Sequence, residues 1–178
     1  MRRKDREVTE ERWIVEFLHR QPFGFLATAA NGEPHLNSNL YVYDEDAHAI
    51  YLHTARVGRT RAEIGAGTAV CFTVAEMGRL LPAAEALEFS VEYASVMIFG
   101  QAHLVEDVER KRQTLQLMLD KYAPHLQPST DYRPITTDEL KRTSVFEVVI
   151  DHWTAKQKKV PEDFPGAFRY GDPDIFKE

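Results

Sequence analysis

Residues 23–44 read FGFLATAANGEPHLNSNLYVYD, and this stretch decides the fold. Two strand-like runs, FGFLATAA and EPHLNSNLYVYD, flank Asn31 and Gly32. Asn-Gly tolerates positive φ at both positions, so it closes a tight hairpin between strands. DEDAH at 44–48 marks a second turn, and AIYLHT at 49–54 reads as a third strand. Three strands joined by short turns make an antiparallel meander.

Working outward, Thr9 is placed to cap a helix with Glu10 and Glu11 in its first turn. Trp13, Ile14, Phe17 and Leu18 form its apolar stripe, and QPFG stops it. GRTRAEIGAG at 58–67 predicts a short helix ending near Gly65 or Gly67. TAVCFTVAEM at 68–77 is nearly all apolar, as in a strand buried on both faces. GRLLPAAEAL at 78–87 predicts a loop or short helix, limited by Pro82. EFSVEYASVMIFGQAHLVED at 88–107 is a long strand region, with Gly100 where a bulge or bend fits. Asp107 caps an amphipathic helix whose apolar side carries Val108, Leu115, Met118, Leu119 and Tyr122. TTDELKRT at 136–143 gives one or two helical turns, capped by Thr136 or Thr137, and SVFEVVIDHW at 144–153 is the last strand.

The expected architecture is mainly β with flanking helices: about six strands in a small closed antiparallel barrel with helices at its ends. Residues 1–10 are expected to be a flexible N-terminal segment, 11–156 the barrel domain, and 157–178 an extension along a surface.

Formal net charge is −6, which argues against general nucleic-acid binding but leaves room for a local cationic pocket. The single cysteine, Cys71, rules out a disulfide framework within one chain and reads as a small buried hydrophobe. The charged start MRRKDREVTEER has no apolar run behind it, and no run of about 18 apolar residues occurs. A soluble, reducing, cytoplasmic protein is expected.

Chemistry concentrates after the third strand. Arg56, Arg59 and Arg61 cluster around Gly58, and guanidinium forks match phosphate oxygens in pairs. The alternative is a set of exposed arginines paired with Glu63 or other carboxylates. His53, just before the cluster, suits proton transfer, a ligand contact or a structural role. Asn37, Ser38 and Asn39 interrupt a strand where asparagine is disfavoured. They read either as an exposed face or as hydrogen-bonding partners for a flat heterocycle. Trp153 and Lys156 mark either a site edge or a packed tryptophan. The remaining histidines lack ligand spacing, so no metal site is expected, and hydrolase, P-loop and Rossmann motifs are missing.

Segments YLHTARVGRTRAEIGAG, LLPAAEALEFSVEYASVMIFGQA and RPITTDELKRTSVFEVVIDHW occur in an order that resembles the pyridoxamine-phosphate-oxidase-like FMN-binding split barrels. Within them, the nitroimidazole-resistance (Nim-type) branch is the most similar. The resemblance covers about residues 12–156. It implies a six-stranded antiparallel split β-barrel that forms a homodimer, with FMN in a groove between subunits. It places Gly58, Arg59 and Thr60 on the phosphate-binding run, with Thr60 where the family carries lysine. Arg61 is then expected to supply that charge from a different angle. Asn37, Ser38 and Asn39 would lie along the isoalloxazine ring, with Ser38 where proline is common. Thr54 would contact the phosphate or ribityl chain, and Tyr93 and Ser95 would lie beside the dimer groove. His53 would be catalytic, positioning a substrate or supplying a proton.

The implied activity is flavin-dependent reduction of a small electron-poor molecule such as a nitroimidazole or nitroaromatic. A non-enzymatic flavin or haem carrier or sensor is the alternative, with His53 as a haem ligand. A true pyridoxamine-phosphate oxidase is disfavoured because the tail RYGDPDIFKE does not look like that enzyme's substrate-binding C-terminus.

Overall fold

The structure is a computed structural model, and it describes residues 3–173. The last five residues of the tail reading therefore lie outside the described residues. Eight strands form one antiparallel sheet: β1 (Glu7–Val8), β2 (Gly24–Ala30), β3 (Glu33–Asn39), β4 (Tyr41–Asp44), β5 (Ala49–Ala55), β6 (Thr68–Leu81), β7 (Ser90–Leu104) and β8 (Thr143–Lys158). Four α-helices accompany them among the described residues: α1 (Glu11–Arg20), α2 (Arg59–Glu63), α3 (Val108–Tyr122) and α4 (Thr137–Arg142).

The sheet order is β3-β2-β6-β7-β8-β5-β4, with β1 added against β8. The expected return strand of the hairpin is in fact two strands. The chain breaks at Leu40, and β3 and β4 occupy opposite edges of the sheet. The barrel is thus closed by a chain crossing and not by a hydrogen-bond ladder, which corrects the closed barrel expected above. This is the architecture of a split barrel. Two other strands run longer than expected: β6 continues to Leu81 and β8 to Lys158.

Alternation along each strand sends one set of side chains inward. Leu26, Tyr41, Ile50, Leu52, Phe72, Val74, Val96, Ile98, Phe146 and Val148 fill the interior. Ile14, Phe17 and Leu18 of α1 join the same core, so this helix plugs one end. A second cluster, Val42, Ala49, Tyr51, Met118 and Val145, lies between the sheet and α3. The outer face of β2, β6 and β7 carries Phe25, Ala27, Cys71, Thr73, Met97 and Phe99 in register. This face is open: Met97 is 40% exposed, and Leu36 of the neighbouring β3 is 61% exposed. Cys71 is accordingly half-buried on the outer face, not part of the core.

Capping follows sequence only in part. Asp107 accepts from the Arg110 amide at 2.7 Å, and Thr136 forms a capping box with Glu139. Thr9 does not cap α1; Glu10 takes that place without a side-chain bond. Residues 7–8, expected in a flexible segment, pair with Lys156 and Ala155 of β8.

Gly100 sits at a bulge: Phe99 pairs with His152 and Gly100 with Ile150, leaving Asp151 unpaired. A Cβ there would overlap the carbonyl oxygen of Val149. Gly100→Ala is expected to destabilise the fold by about 1–3 kcal/mol, because backbone on both strands must move. Urea unfolding checks this, and an unchanged midpoint would show that the two strands separate freely at the bulge.

The tail beyond β8 is a strap. Leu80 and Phe168 exchange backbone bonds at 2.7 and 3.1 Å. Arg79 donates to the carbonyls of Val160, Pro161 and Glu162, and its guanidinium pairs with Glu92 at 2.9 Å. The bonds from Arg79 hold the Glu92 carboxyl down at about 2. Among the described residues, no helix is long and apolar enough to cross a membrane.

Candidate functional site

Strand β5 divides the chemistry. Leu52 faces the barrel interior, so Thr54 follows it, while Tyr51 and His53 face α3. Two residues expected to serve one site therefore open into separate cavities.

The first is a cleft of about 230 Å³ lined by His35, Asn37, Thr54, Val57, Gly58, Arg59, Thr60 and Arg61. Gly58 adopts φ 151°, a conformation that L side chains rarely take, and it turns the chain from β5 into α2. Thr60 is buried and accepts from Asn37 Nδ2 at 3.0 Å, which ties the turn to β3. This bond gives the asparagine in mid-strand a structural task. Asn39 is also buried, and it donates to the Asn37 carbonyl at 3.0 Å. Ser38 points to the opposite, exposed face of β3, in register with Phe25. A ring lying on one side of this strand can therefore meet the side chain of Asn37 or of Ser38, not both. Thr54 uses its hydroxyl locally, donating to the Ala55 carbonyl at 2.9 Å.

The three arginines differ. Arg59 pairs with Glu63 at 2.5 Å and with Glu33 at 2.9 Å, as the carboxylate-paired alternative predicts. Glu63 is itself nearly buried, accepts from Thr28, and lies 3.4 Å from His35. Donation by Thr28 and Arg59 lowers its pKa, so it stays a carboxylate. Arg61 is half-buried, lines the cleft, and makes no ion pair or hydrogen bond among the described residues. Arg56 likewise makes none, but it is exposed and does not line the cleft.

The second cavity is apolar and holds about 420 Å³. His53 lines it with Leu40, Leu115, Leu119 and Tyr122, and Arg133 lies along its wall. His53 Nδ1 is 3.1 Å from Met118 Sδ. A thioether can only accept, so this contact places the ring proton on Nδ1 and leaves the Nε2 lone pair free. Part of the imidazole reaches solvent, yet the apolar wall desolvates it and lowers its pKa.

Other expected residues fall elsewhere. Trp153 packs edge-on against His48 at 4.8 Å and Tyr43 at 6.2 Å, the packed alternative. Ser95 and Lys156 are register partners on β7 and β8, away from both cavities. Tyr93 lines a third, polar cavity at the far end of the barrel. His35 lines the cleft and Glu33 pairs with its Arg59, but neither was singled out from sequence. Parity along β3 could have found His35, which lies two residues from Asn37 on the same face.

An open antiparallel split barrel with an arginine-lined cleft beside its edge hairpin defines the class. The family model for pyridoxamine 5'-phosphate oxidase matches residues 10–157, and the chain belongs to that family. No curated protein sequence matches the chain. Among solved structures, the flavocytochrome Anf3 from Azotobacter vinelandii has TM-score 0.78 at 20% identity, covering 100% of this chain and 78% of that one. The FAD and heme binding protein from Mycobacterium smegmatis also has TM-score 0.78 at 20% identity, covering 89% and 76%. A structure described as a 5-nitroimidazole antibiotic resistance protein from Bacteroides thetaiotaomicron has TM-score 0.68 at 19% identity, covering 85% and 86%. At these identities the likeness is one of fold.

Proposed function

We propose that the chain is a flavin-binding split-barrel protein in which Arg61 and Arg59 take the phosphate of an FMN. The observation that carries this reading is Arg61, a half-buried guanidinium that lines a cleft and lacks a carboxylate partner among the described residues. A desolvated cation without a counter-charge is costly, and an anion in the cleft offsets that cost. Arg59 contributes only when it releases Glu33, whose carboxylate is 72% exposed and so easily displaced.

The cleft of one protomer is smaller than the about 300–1,000 Å³ that small-molecule pockets usually occupy. A second copy would complete it. β3 borders the cleft through Asn37 and the open apolar face through Leu36, so a homodimer formed on that face would bring its partner to the cleft. When bound, the flavin would supply hydride or single-electron transfer to a small electron-poor acceptor such as a nitroimidazole or nitroaromatic. The chain's own residues hold the phosphate and set the turn at Gly58. The cytoplasm is the compartment this reading assigns. The test is the visible spectrum after incubation with FMN and gel filtration. Retained yellow flavin bands are expected, and a colourless protein would overturn the reading.

A second reading assigns haem to the His53 cavity. What supports it is the combination of a free Nε2 lone pair and an apolar wall, with Arg133 able to meet a carboxylate group only on leaving Glu139, with which it pairs at 2.9 Å. The flavocytochrome and the FAD and heme binding protein share this fold. In this reading His53 is a ligand and not a proton donor. Added haemin is expected to give a Soret band that His53→Gln loses. Because burial depresses the imidazole pKa, the band should persist as pH falls below the ordinary histidine value of about 6.5. An identical band in the variant would leave His53 to a small-molecule substrate.

A further inference from the structure

A polar cavity of about 470 Å³ lies where α1, the far ends of β6 and β7, and the C-terminal strap meet. It shares no lining residue with the arginine cleft or the His53 cavity. Its carboxylates are already answered. Glu92 receives Arg79 and the Val160 amide. Glu76 receives Arg20 and Gln21, and Glu162 lies 3.5 Å from Arg79. Three further cations line the cavity, Lys158, Lys159 and Arg169, and none has a carboxylate partner among the described residues. Among the described residues, Lys158 donates only to Ser90 Oγ. Partial burial lowers its pKa first, and the nearby Arg6 and Arg3 charges add to this against a smaller opposing pull from Glu88.

Lysine and arginine converge here in a chain that is acidic overall. A compact anion would relieve their mutual repulsion, and phosphate oxygens match both a guanidinium fork and an ammonium point charge. The volume exceeds what a single inorganic ion fills, and Trp13 and Tyr93 add aromatic surface to the lining. We propose that this cavity is a binding site for a phosphate-bearing small molecule of nucleotide size. Lys158, Lys159 and Arg169 would hold its phosphates, and the aromatic side chains would lie against its planar part. The strap is then a wall of the site, since Lys159, Glu162 and Arg169 all belong to it. The proposal is independent of the flavin reading, because it uses no residue of the arginine cleft.

The test is calorimetric titration of the full chain with ADP. One ADP per chain should bind, and the double variant Lys159→Gln/Arg169→Gln should weaken it by about tenfold or more. Both positions are exposed, so the substitutions leave the core untouched. Arg61→Ala should bind ADP with unchanged affinity at this site. Absence of saturable binding would overturn the proposal. So would equal weakening in the double variant and in Arg61→Ala, which would indicate general charge attraction, or a loss confined to Arg61→Ala, which would move ADP to the other cleft.

Discussion

Phe72→Ala is expected to lower stability by about 3–5 kcal/mol, read as a fall in the urea midpoint. The ring is fully buried on β6. It meets Tyr41 edge-on with centroids 5.0 Å apart, and it lies against Gly24, where a Cβ would overlap it. Truncation therefore removes the residue that joins β6 to β2 and to the crossing chain at β4. A loss of this size is a large share of the about 5–15 kcal/mol that holds a typical domain. A loss below about 1 kcal/mol would show that the interior collapses to fill the space. The same packing makes Gly24→Ala destabilising. The two sites should couple, because a smaller residue at 72 leaves room for a methyl at 24.

The second large effect is functional. Arg61→Ala should weaken FMN binding by about ten- to a hundredfold, the range for one lost charge-assisted contact. Arg59→Ala should cost less, because Arg59 is held by Glu63 and has to leave Glu33 before it can serve a phosphate. Titration of both variants by flavin fluorescence checks the order. A larger loss at Arg59 would mean that its carboxylate pairs open in the bound state and that Arg61 is peripheral.

Much of this was legible in the residues themselves. Asn31-Gly32 marked the hairpin that defines β2 and β3, and Gly100 marked the bulge. Local rules suffice for both, since positive φ and the absence of a side chain act within a few residues. The crossing at Leu40 was not legible. YVYD continues an apolar run, and nothing local reveals that its partner is β5 and not β2. Pairing between distant strands is decided by the core, through side chains such as Tyr41, which donates to the Leu18 carbonyl at 2.6 Å.

The grouping of residues around the candidate cleft was legible in a similar, partial way. Six of the nine residues proposed from sequence line the arginine cleft: Asn37, Thr54, Gly58, Arg59, Thr60 and Arg61. His53 does not, and the reason is parity: adjacent residues on a strand face opposite sides. Proximity along the chain suggested one site where the sheet makes two separate cavities. The Glu63 pair was legible as an i,i+4 partner, but Glu33 was hidden, since it reaches Arg59 only because the hairpin folds back. Asn37 of β3 turned out to brace the turn through Thr60, a task that pattern alone does not distinguish from ring contact.

The central claim is that the cleft recognises a flavin through its phosphate. The most direct measurement compares the affinity of the unmodified chain for FMN with that for riboflavin, which lacks the phosphate. Binding of FMN tighter by about tenfold or more is the predicted result, with the difference vanishing in Arg61→Ala. Equal affinity for the two flavins in the unmodified chain would contradict the account.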